Sequence, residues 1–339
     1  MSKLILIFIF LFLFIIAISK NNNLNIFQSG IVLILLILLI TFRDSSMADY
    51  STYTDIFNYQ IESVEPFHIL VINFLKARGF SVIAYFFIVA MFTVTFQINA
   101  IRRVMTNIWG LSMLTWLGTS FILNDMVTIR AGLAASLLLW LVYYKVANKL
   151  FYAILLFLLA ISIHISAAVF IIVFFLSPII YHRKYYLIGL GISVLCPMIG
   201  FSLTDFIGVV GINLFDEKML IYINSGVEAN PLSLFQLVKF AIAIILWMRC
   251  DRIIPKNKYF LISLKIYTIG CIWYFMTYKL MAVAWRISCM FWTVDVFVYP
   301  FLAYLWSKEL TPRSKLIPAG VSVMFFVVNV SMQQYWNPV

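Results

Sequence analysis

Charge is the scarcest property of this 339-residue chain. Only 11% of its residues are Asp, Glu, Lys or Arg, where a soluble globular protein carries about 25%. It contains no long polar stretch from which a large water-exposed domain could be built. A soluble enzyme, a secreted disulfide scaffold and a disordered chain are excluded together. Cysteine is sparse as well. Cys196, Cys250, Cys271 and Cys289 form no Cys-x-x-Cys pair and have no histidine nearby, so they read as packing residues rather than redox or metal groups. Glycine-rich phosphate loops, zinc motifs and Gly-x-Ser-x-Gly are missing, and so is an Asp-x-Asp for a metal-bound nucleotide sugar. These absences argue against nucleotide-driven chemistry; no metal and no cofactor are expected. Internal repeats and low-complexity linkers are also lacking, which leaves a single transmembrane domain over residues 1–339 as the simplest organisation.

What the chain has in excess is apolar length. It is 64% hydrophobic, with a mean hydropathy of +1.03. The apolar runs at 4–19, 31–42 and 151–180 are continuous, without the period-two alternation of an outer-membrane barrel, so the fold class is all-α and polytopic. At about 20 residues per crossing, spans are expected near 4–19, 29–42, 80–99, 108–123, 131–147, 185–201, 233–249, 259–279, 287–306 and 316–332. The first of these reads as a retained helix, because only Lys3 precedes it and Ile18-Ser19-Lys20 is a poor cleavage site.

The net charge of +11 does not indicate nucleic acid. The basic residues lie in short clusters between spans, as the positive-inside rule places cytoplasmic loops: Arg102-Arg103, Lys145 and Lys149, Arg183-Lys184, Arg249 to Lys258, and Lys308 to Lys315. With both Lys149 and Arg183 inside, an even number of crossings must separate them. The apolar stretch 151–181 is therefore expected to be two short segments breaking near Ser162-Ile163-His164. Such a break is tolerated only inside protein or beside a watery cavity. The total is about twelve transmembrane helices, with outer loops near 43–79 and 202–232 and a short half-helix at 67–76 after Pro66.

Ionisable residues at membrane depth are costly and so are functional candidates. Arg130 stands at the outer start of a helix, where the helix dipole disfavours a cation; it binds an anion with the helix-end N–H groups, pairs locally with Asp125, or snorkels. His164 sits at the expected break, either as a satisfied core residue or as a donor or proton acceptor. Arg286 opens a later helix in the same odd way, and Arg43 ends a span on the outer side. Three such arginines suit a phosphate or pyrophosphate; the alternative is pairing with Asp44, Asp49 and Glu65. The first outer loop pairs Tyr50 and Tyr53 with Asp49, the usual equipment for sugars. Glu65 is held near the membrane surface, as a general base on a sugar hydroxyl or as a solvated loop acid.

In this order these pieces resemble the EpsG-like branch of the O-antigen polymerase (Wzy) family. The matching residues are Arg43 leading to Asp49-Tyr50-x-x-Tyr53, Glu65-Pro66-Phe67-His68, Ile129-Arg130-Ala131-Gly132, Ile163-His164-Ile165-Ser166-Ala167, Arg286, and the tail Tyr335-Trp336-Asn337-Pro338. Ala131 stands where the family often has Gln, and the common Gly before the loop Asp is absent. The resemblance implies a GT-C-like, metal-independent glycosyltransferase of the bacterial plasma (inner) membrane, with its active site facing the periplasm or outside. Its donor and acceptor would be polyprenyl-diphosphate-linked oligosaccharides. Membrane lipid and a chain-length regulator would be further partners; nucleic acid would not. It casts Arg130, His164, Arg286, Glu65 and Asp49 as catalytic, and Arg43, Tyr50, Tyr53, Lys279 and Tyr335 as substrate-binding. The rival readings are a flippase or transporter of the same lipid-linked glycan and a membrane O-acyltransferase.

Overall fold

Apolar side chains on the first helix, α1 (Ser2–Ile18), face two ways. Leu6, Ile9, Phe10, Leu13 and Ala17 are buried in protein, whereas Leu4, Phe8, Leu11 and Ile15 are exposed along the opposite face. A helix apolar on its outer stripe as well is built for lipid rather than water. The same holds for exposed Phe151, Leu155 and Leu158 further along. These observations come from a computed structural model that describes residues 2–19, 26–59, 65–206, 228–307 and 309–332. No strand occurs among the described residues.

The chain forms two compact units, Met1–Ile171 with Asp295–Val339, and Ile172–Val294. In the first unit, α1 is followed by α2 (Ile26–Thr41), α3 (Tyr50–Tyr59), α4 (Pro66–Lys76), α5 (Val82–Val104) and α6 (Trp109–Trp116). The chain then widens into a π-helical stretch, Leu117–Val127, before α7 (Ile129–Val146) and α8 (Leu150–Ile163). α7 packs between α5 and α8, and α5 packs against α2. The last helix of the unit (Pro312–Ser331) lies along α1, α6 and the π stretch. Phe10 of α1 stacks on Phe326 at 3.8 Å, and Lys315 Nζ donates to the Ser19 carbonyl at 2.6 Å.

The second unit holds α9 (Arg183–Met198), α10 (Leu234–Met248), α11 (Phe260–Met276) and α12 (Met281–Trp292); the Pro312–Ser331 helix is therefore α13. α11 is central, packing on α9, α10 and α12. Its Lys265 is buried and donates to the Ser177 and Ile180 carbonyls at 2.6 and 2.5 Å.

Three helices, α5, α7 and α13, are by themselves long and apolar enough to cross a bilayer. A fourth results if α12 and Asp295–Tyr304 count as one broken span. The other apolar helices run to 10–17 residues. The protein is an all-α membrane protein.

Two interruptions shape the first unit. α8 stops at Ile163, His164 is extended (φ −154°, ψ 115°), and the chain resumes as a 3₁₀ helix, Ile165–Phe175. This is the break expected at Ser162-Ile163-His164. The second, the π stretch, falls within and beyond the span expected at 108–123. Its wider winding exposes carbonyls to new partners: Asn329 of α13 donates to the Gly118 carbonyl at 2.8 Å, and Thr128 closes the stretch with both its N–H and its hydroxyl on the Leu123 carbonyl. Such wide turns often sit beside functional sites, and this one ends three residues before Arg130.

Candidate active site

Glu65 immediately precedes α4, with Pro66 at the first helical position, where its missing N–H costs nothing. The Glu65 backbone is extended, but its carboxylate does not cap the helix. It turns instead to two residues far along the chain. Arg130 Nη1 donates to Oε2, and His164 Nδ1 lies 3.1 Å from Oε1. α7 delivers Arg130 from its first turn, and the break after α8 frees His164 from helical geometry so that it can face Glu65.

All three side chains are largely buried, at 15–21% exposure. Burial by itself would raise the Glu65 carboxyl, but the hydrogen bond from His164 and the charge of Arg130 outweigh it and hold it down to about 2. An ionised carboxylate can only accept, so the proton of the shared bond sits on His164 Nδ1. In the neutral ring Nε2 is then the acceptor.

Tyr53 of α3 lies under this group. Its buried ring faces two guanidinium carbons, Arg130 at 5.6 Å and Arg43 at 5.1 Å from the centroid. Arg43 is only 4% exposed. Its Nη1 donates to the Met126 carbonyl of the π stretch at 3.0 Å, and its guanidinium packs over Phe86 at 4.0 Å and Tyr50 at 5.7 Å. Three donors on these two arginines, Arg43 Nε, Arg43 Nη2 and Arg130 Nε, are buried without a hydrogen-bond partner. Each orphaned donor costs about 1–3 kcal/mol, and an anion entering beside Tyr53 would relieve that cost. Asp49 lies exposed at the start of α3, in the left-handed region (φ 63°), and acts on Arg43 through its charge.

A second layer holds the first. His68 of α4 is fully buried. Its Nε2 lies 3.0 Å from the Ile163 carbonyl and its Nδ1 2.9 Å from the Tyr85 hydroxyl. A carbonyl accepts only, so Nε2 donates, and in the neutral ring Nδ1 accepts from Tyr85. Beneath Arg130, Asp125 accepts from the Trp116 indole at 2.7 Å. Gly132 lets α7 close on the π stretch: a Cβ there would meet the Asp125 carboxylate and stand 2.5 Å from the Asn124 carbonyl oxygen.

Five of the candidates read from the sequence thus meet: Arg43, Tyr53, Glu65, Arg130 and His164, with Asp49 and Tyr50 at their edge. Several expectations change. Arg130 does not pair with Asp125, because the Trp116 indole holds that carboxylate and Arg130 reaches Glu65 instead. Glu65 is not a solvated loop acid. Arg286 does not open its helix: α12 begins at Met281, and Arg286 is exposed in its second turn. Lys279 is engaged with Asp205 at 2.9 Å on the surface. Both belong to the second unit. Tyr335, and most of the loop at 202–232 (residues 207–227), lie outside the described residues. Among those described, no group of three or more His, Cys, Asp or Glu side chains could hold a metal ion. The sequence motif Glu65-Pro66-Phe67-His68 does not by itself assign His68 a role; its spacing from Glu65, three residues on one helical turn, is the signal that could have done so.

A family model, the EpsG family, matches residues 26–338. The chain belongs to the EpsG family. The match takes in the whole cluster from Arg43 to His164, and it bears out the resemblance drawn from the motifs. No curated protein and no solved structure matches the chain. EpsG-like proteins are Wzy-type polymerases, so a membrane polymerase with a glycosyltransferase-like role is the frame for its chemistry.

Proposed function

We propose that this EpsG-family protein is an outer-face membrane glycosyltransferase that joins polyprenyl-diphosphate-linked oligosaccharide repeat units into O-antigen or a related polysaccharide. The observation that carries the reading is the set of three orphaned donors on Arg43 and Arg130, buried around Tyr53 beside the Glu65–His164 pair. Buried arginine forks suit a diphosphate, and the carboxylate-held imidazole suits proton transfer.

In the reaction, the acceptor hydroxyl attacks the anomeric carbon of the donor glycan, and the bond from that carbon to the diphosphate oxygen breaks. The hydroxyl proton passes to His164 Nε2. Arg43 and Arg130 take up the negative charge that develops on the departing diphosphate. Glu65 is the positioning residue. A carboxylate held down to about 2 is a weak base at neutral pH, but it fixes the tautomer and direction of the imidazole, as carboxylates do for catalytic histidines.

The outward orientation is supported by the charge pattern. α5 and α7 begin near the Glu65 cluster and end at Arg102-Arg103 and at Lys145 and Lys149, the basic ends that the positive-inside rule assigns to the cytoplasm. The GT-C-like fold with about twelve crossings is part of the same reading; its shorter apolar helices serve as crossings where the bilayer thins locally or flanking residues snorkel.

The test is purified protein with a defined lipid-linked repeat unit and no added nucleotide or metal. A ladder of products that disappears in Arg130→Ala establishes the reading. Full-length polymer from Arg130→Ala overturns the site. In cells, loss of a polymerase leaves single repeat units on the surface, whereas loss of a flippase traps them inside.

A further inference from the structure

The ends of α5 and α7 remote from Glu65 hold another polar site. A cavity of about 510 Å³ opens there, with Asn99, Arg102, Arg103, Thr106 and Trp140 in its wall. Among the described residues, no acidic side chain lines it. Arg102 and Arg103 occupy the last turn of α5, where the helix carbonyls favour cations. Each arginine is braced on an aromatic ring. The Arg102 guanidinium carbon lies 5.5 Å from the Trp109 centroid, and Arg103 Nε donates to the Tyr143 hydroxyl at 3.0 Å. Trp140 donates its indole N–H to the Phe96 carbonyl at 3.0 Å, which fixes its ring as an apolar wall against α5.

Two further observations place this cavity at a membrane surface. Trp140, Tyr143, Tyr144 and Tyr152 form a chain of ring contacts at 5.1–6.0 Å, and Trp/Tyr clusters of this kind collect at the headgroup level. From Tyr85, which holds His68, to Arg102 is 17 residues of one helix, a rise of about 25 Å against a hydrocarbon core of about 30 Å. The cavity therefore lies at the opposite membrane face from the Glu65 cluster, and its basic residues assign that face to the cytoplasm.

We infer that this cavity binds the phosphodiester headgroup of an anionic phospholipid of the cytoplasmic leaflet. Arg102 and Arg103 neutralise the phosphate, and Asn99 and Thr106 meet headgroup hydroxyls. A lipid rather than a free anion is the occupant because the wall continues into apolar surface. Phe96 stacks on Phe92 one turn nearer the bilayer centre at 5.9 Å, and Phe92 is exposed, so an acyl chain has a track along α5. Basic pockets between transmembrane helices on the cytoplasmic side are suited to such headgroups. The inference does not depend on the reaction proposed above.

The experiment is native mass spectrometry of the purified full chain from mixed micelles holding equal phosphatidylglycerol and phosphatidylcholine. Wild type is expected to retain phosphatidylglycerol selectively, and Arg102→Gln/Arg103→Gln to lose about 30-fold in that preference, about fivefold for each charge. Single Arg102→Gln, at an exposed position, gives the fivefold step if the double variant does not fold. Equal retention of both lipids by wild type, or an unchanged preference in the variants, overturns the inference. So does displacement of the lipid by millimolar inorganic phosphate, which would mark a site for free anions.

Discussion

His68 Nε2 lies 3.0 Å from the carbonyl oxygen of Ile163, the residue before His164. Through this bond the short helix after Glu65 grips the end of α8, so the two partners of the Glu65–His164 hydrogen bond are held by a second bond close beside it. His68→Phe keeps a ring but leaves the Ile163 carbonyl and the Tyr85 hydroxyl without their shared partner. A loss of about 1–3 kcal/mol is expected, seen as an earlier melt of the purified protein. Polymer formation should also fall at temperatures where the variant is still folded, in kcat more than in KM. Wild-type melting and turnover together would remove His68 from this role.

Glu65 and Arg130 should couple. Glu65→Gln leaves Arg130 without its counter-charge, and Arg130→Gln leaves Glu65 with His164 alone. A double-mutant cycle on thermal stability is expected to give about 0.5–3 kcal/mol of interaction, the range for residues in one hydrogen-bonded network. The 15% and 21% exposures of the two side chains set it below a fully buried pair. Additive single effects would mean that the pair contributes nothing. In activity, Glu65→Gln should fall steeply even though an amide can still accept from His164, because the charge that stabilises a protonated imidazole is gone.

The same carboxylate predicts an acid limit. Its value in the fold, about 2, lies below the free glutamate value of about 4.3. Its contribution is therefore fully present above about pH 4.3 and is lost as pH falls from there towards 2. The melting difference between wild type and Glu65→Gln should not narrow between pH 8 and pH 5 and should narrow below about pH 4. A difference that narrows already between pH 8 and pH 6 would contradict this assignment.

Membrane class, helical content and four of the candidate site residues were legible in the sequence because each breaks a strong background. Arg43 and Arg130 offend the positive-inside rule, Glu65 abuts Pro66, and His164 falls where charge parity forces a break. What was not legible depends on the third dimension. Asp125 is near Arg130 in sequence, yet the Trp116 indole takes its carboxylate, and nothing in the spacing chooses between these partners. Tyr53 reads as a sugar platform beside Asp49, but helix α3 turns its ring inward between two arginines. The π stretch leaves no periodic mark in Leu117–Val127, and its signs are side chains such as Asn329, 210 or more residues away.

Gly132 tests that π stretch. α7 approaches so closely that a methyl group would overlap the Asp125 carboxylate and the Asn124 carbonyl. Gly→Ala in an ordinary helix interior gains about 1 kcal/mol; here overpacking should reverse the sign and cost about 1–3 kcal/mol. Because the displaced backbone carries Arg130 two residues earlier, Gly132→Ala should lose activity beyond its loss of stability. A variant that melts later and remains active would show that the stretch yields freely.

Arg43 separates charge from shape. Arg43→Ala removes both, and Arg43→Lys keeps the charge while removing Nε, Nη2 and the flat face that packs on Phe86 and Tyr53. If the arginine only balanced nearby charge, lysine would rescue it. The donors are instead fixed in one plane by the rings and by the Met126 carbonyl, and a lysine ammonium on a flexible stem cannot reproduce that fork. Arg43→Lys is therefore expected to lie within about tenfold of Arg43→Ala in chain extension, both well below wild type; under the proposed function the defect falls mainly in KM for the lipid-linked unit, whose diphosphate the lost donors would bind before and during the reaction. Near-wild-type extension by Arg43→Lys would show that charge alone suffices, and the geometric argument from the orphaned donors would fail.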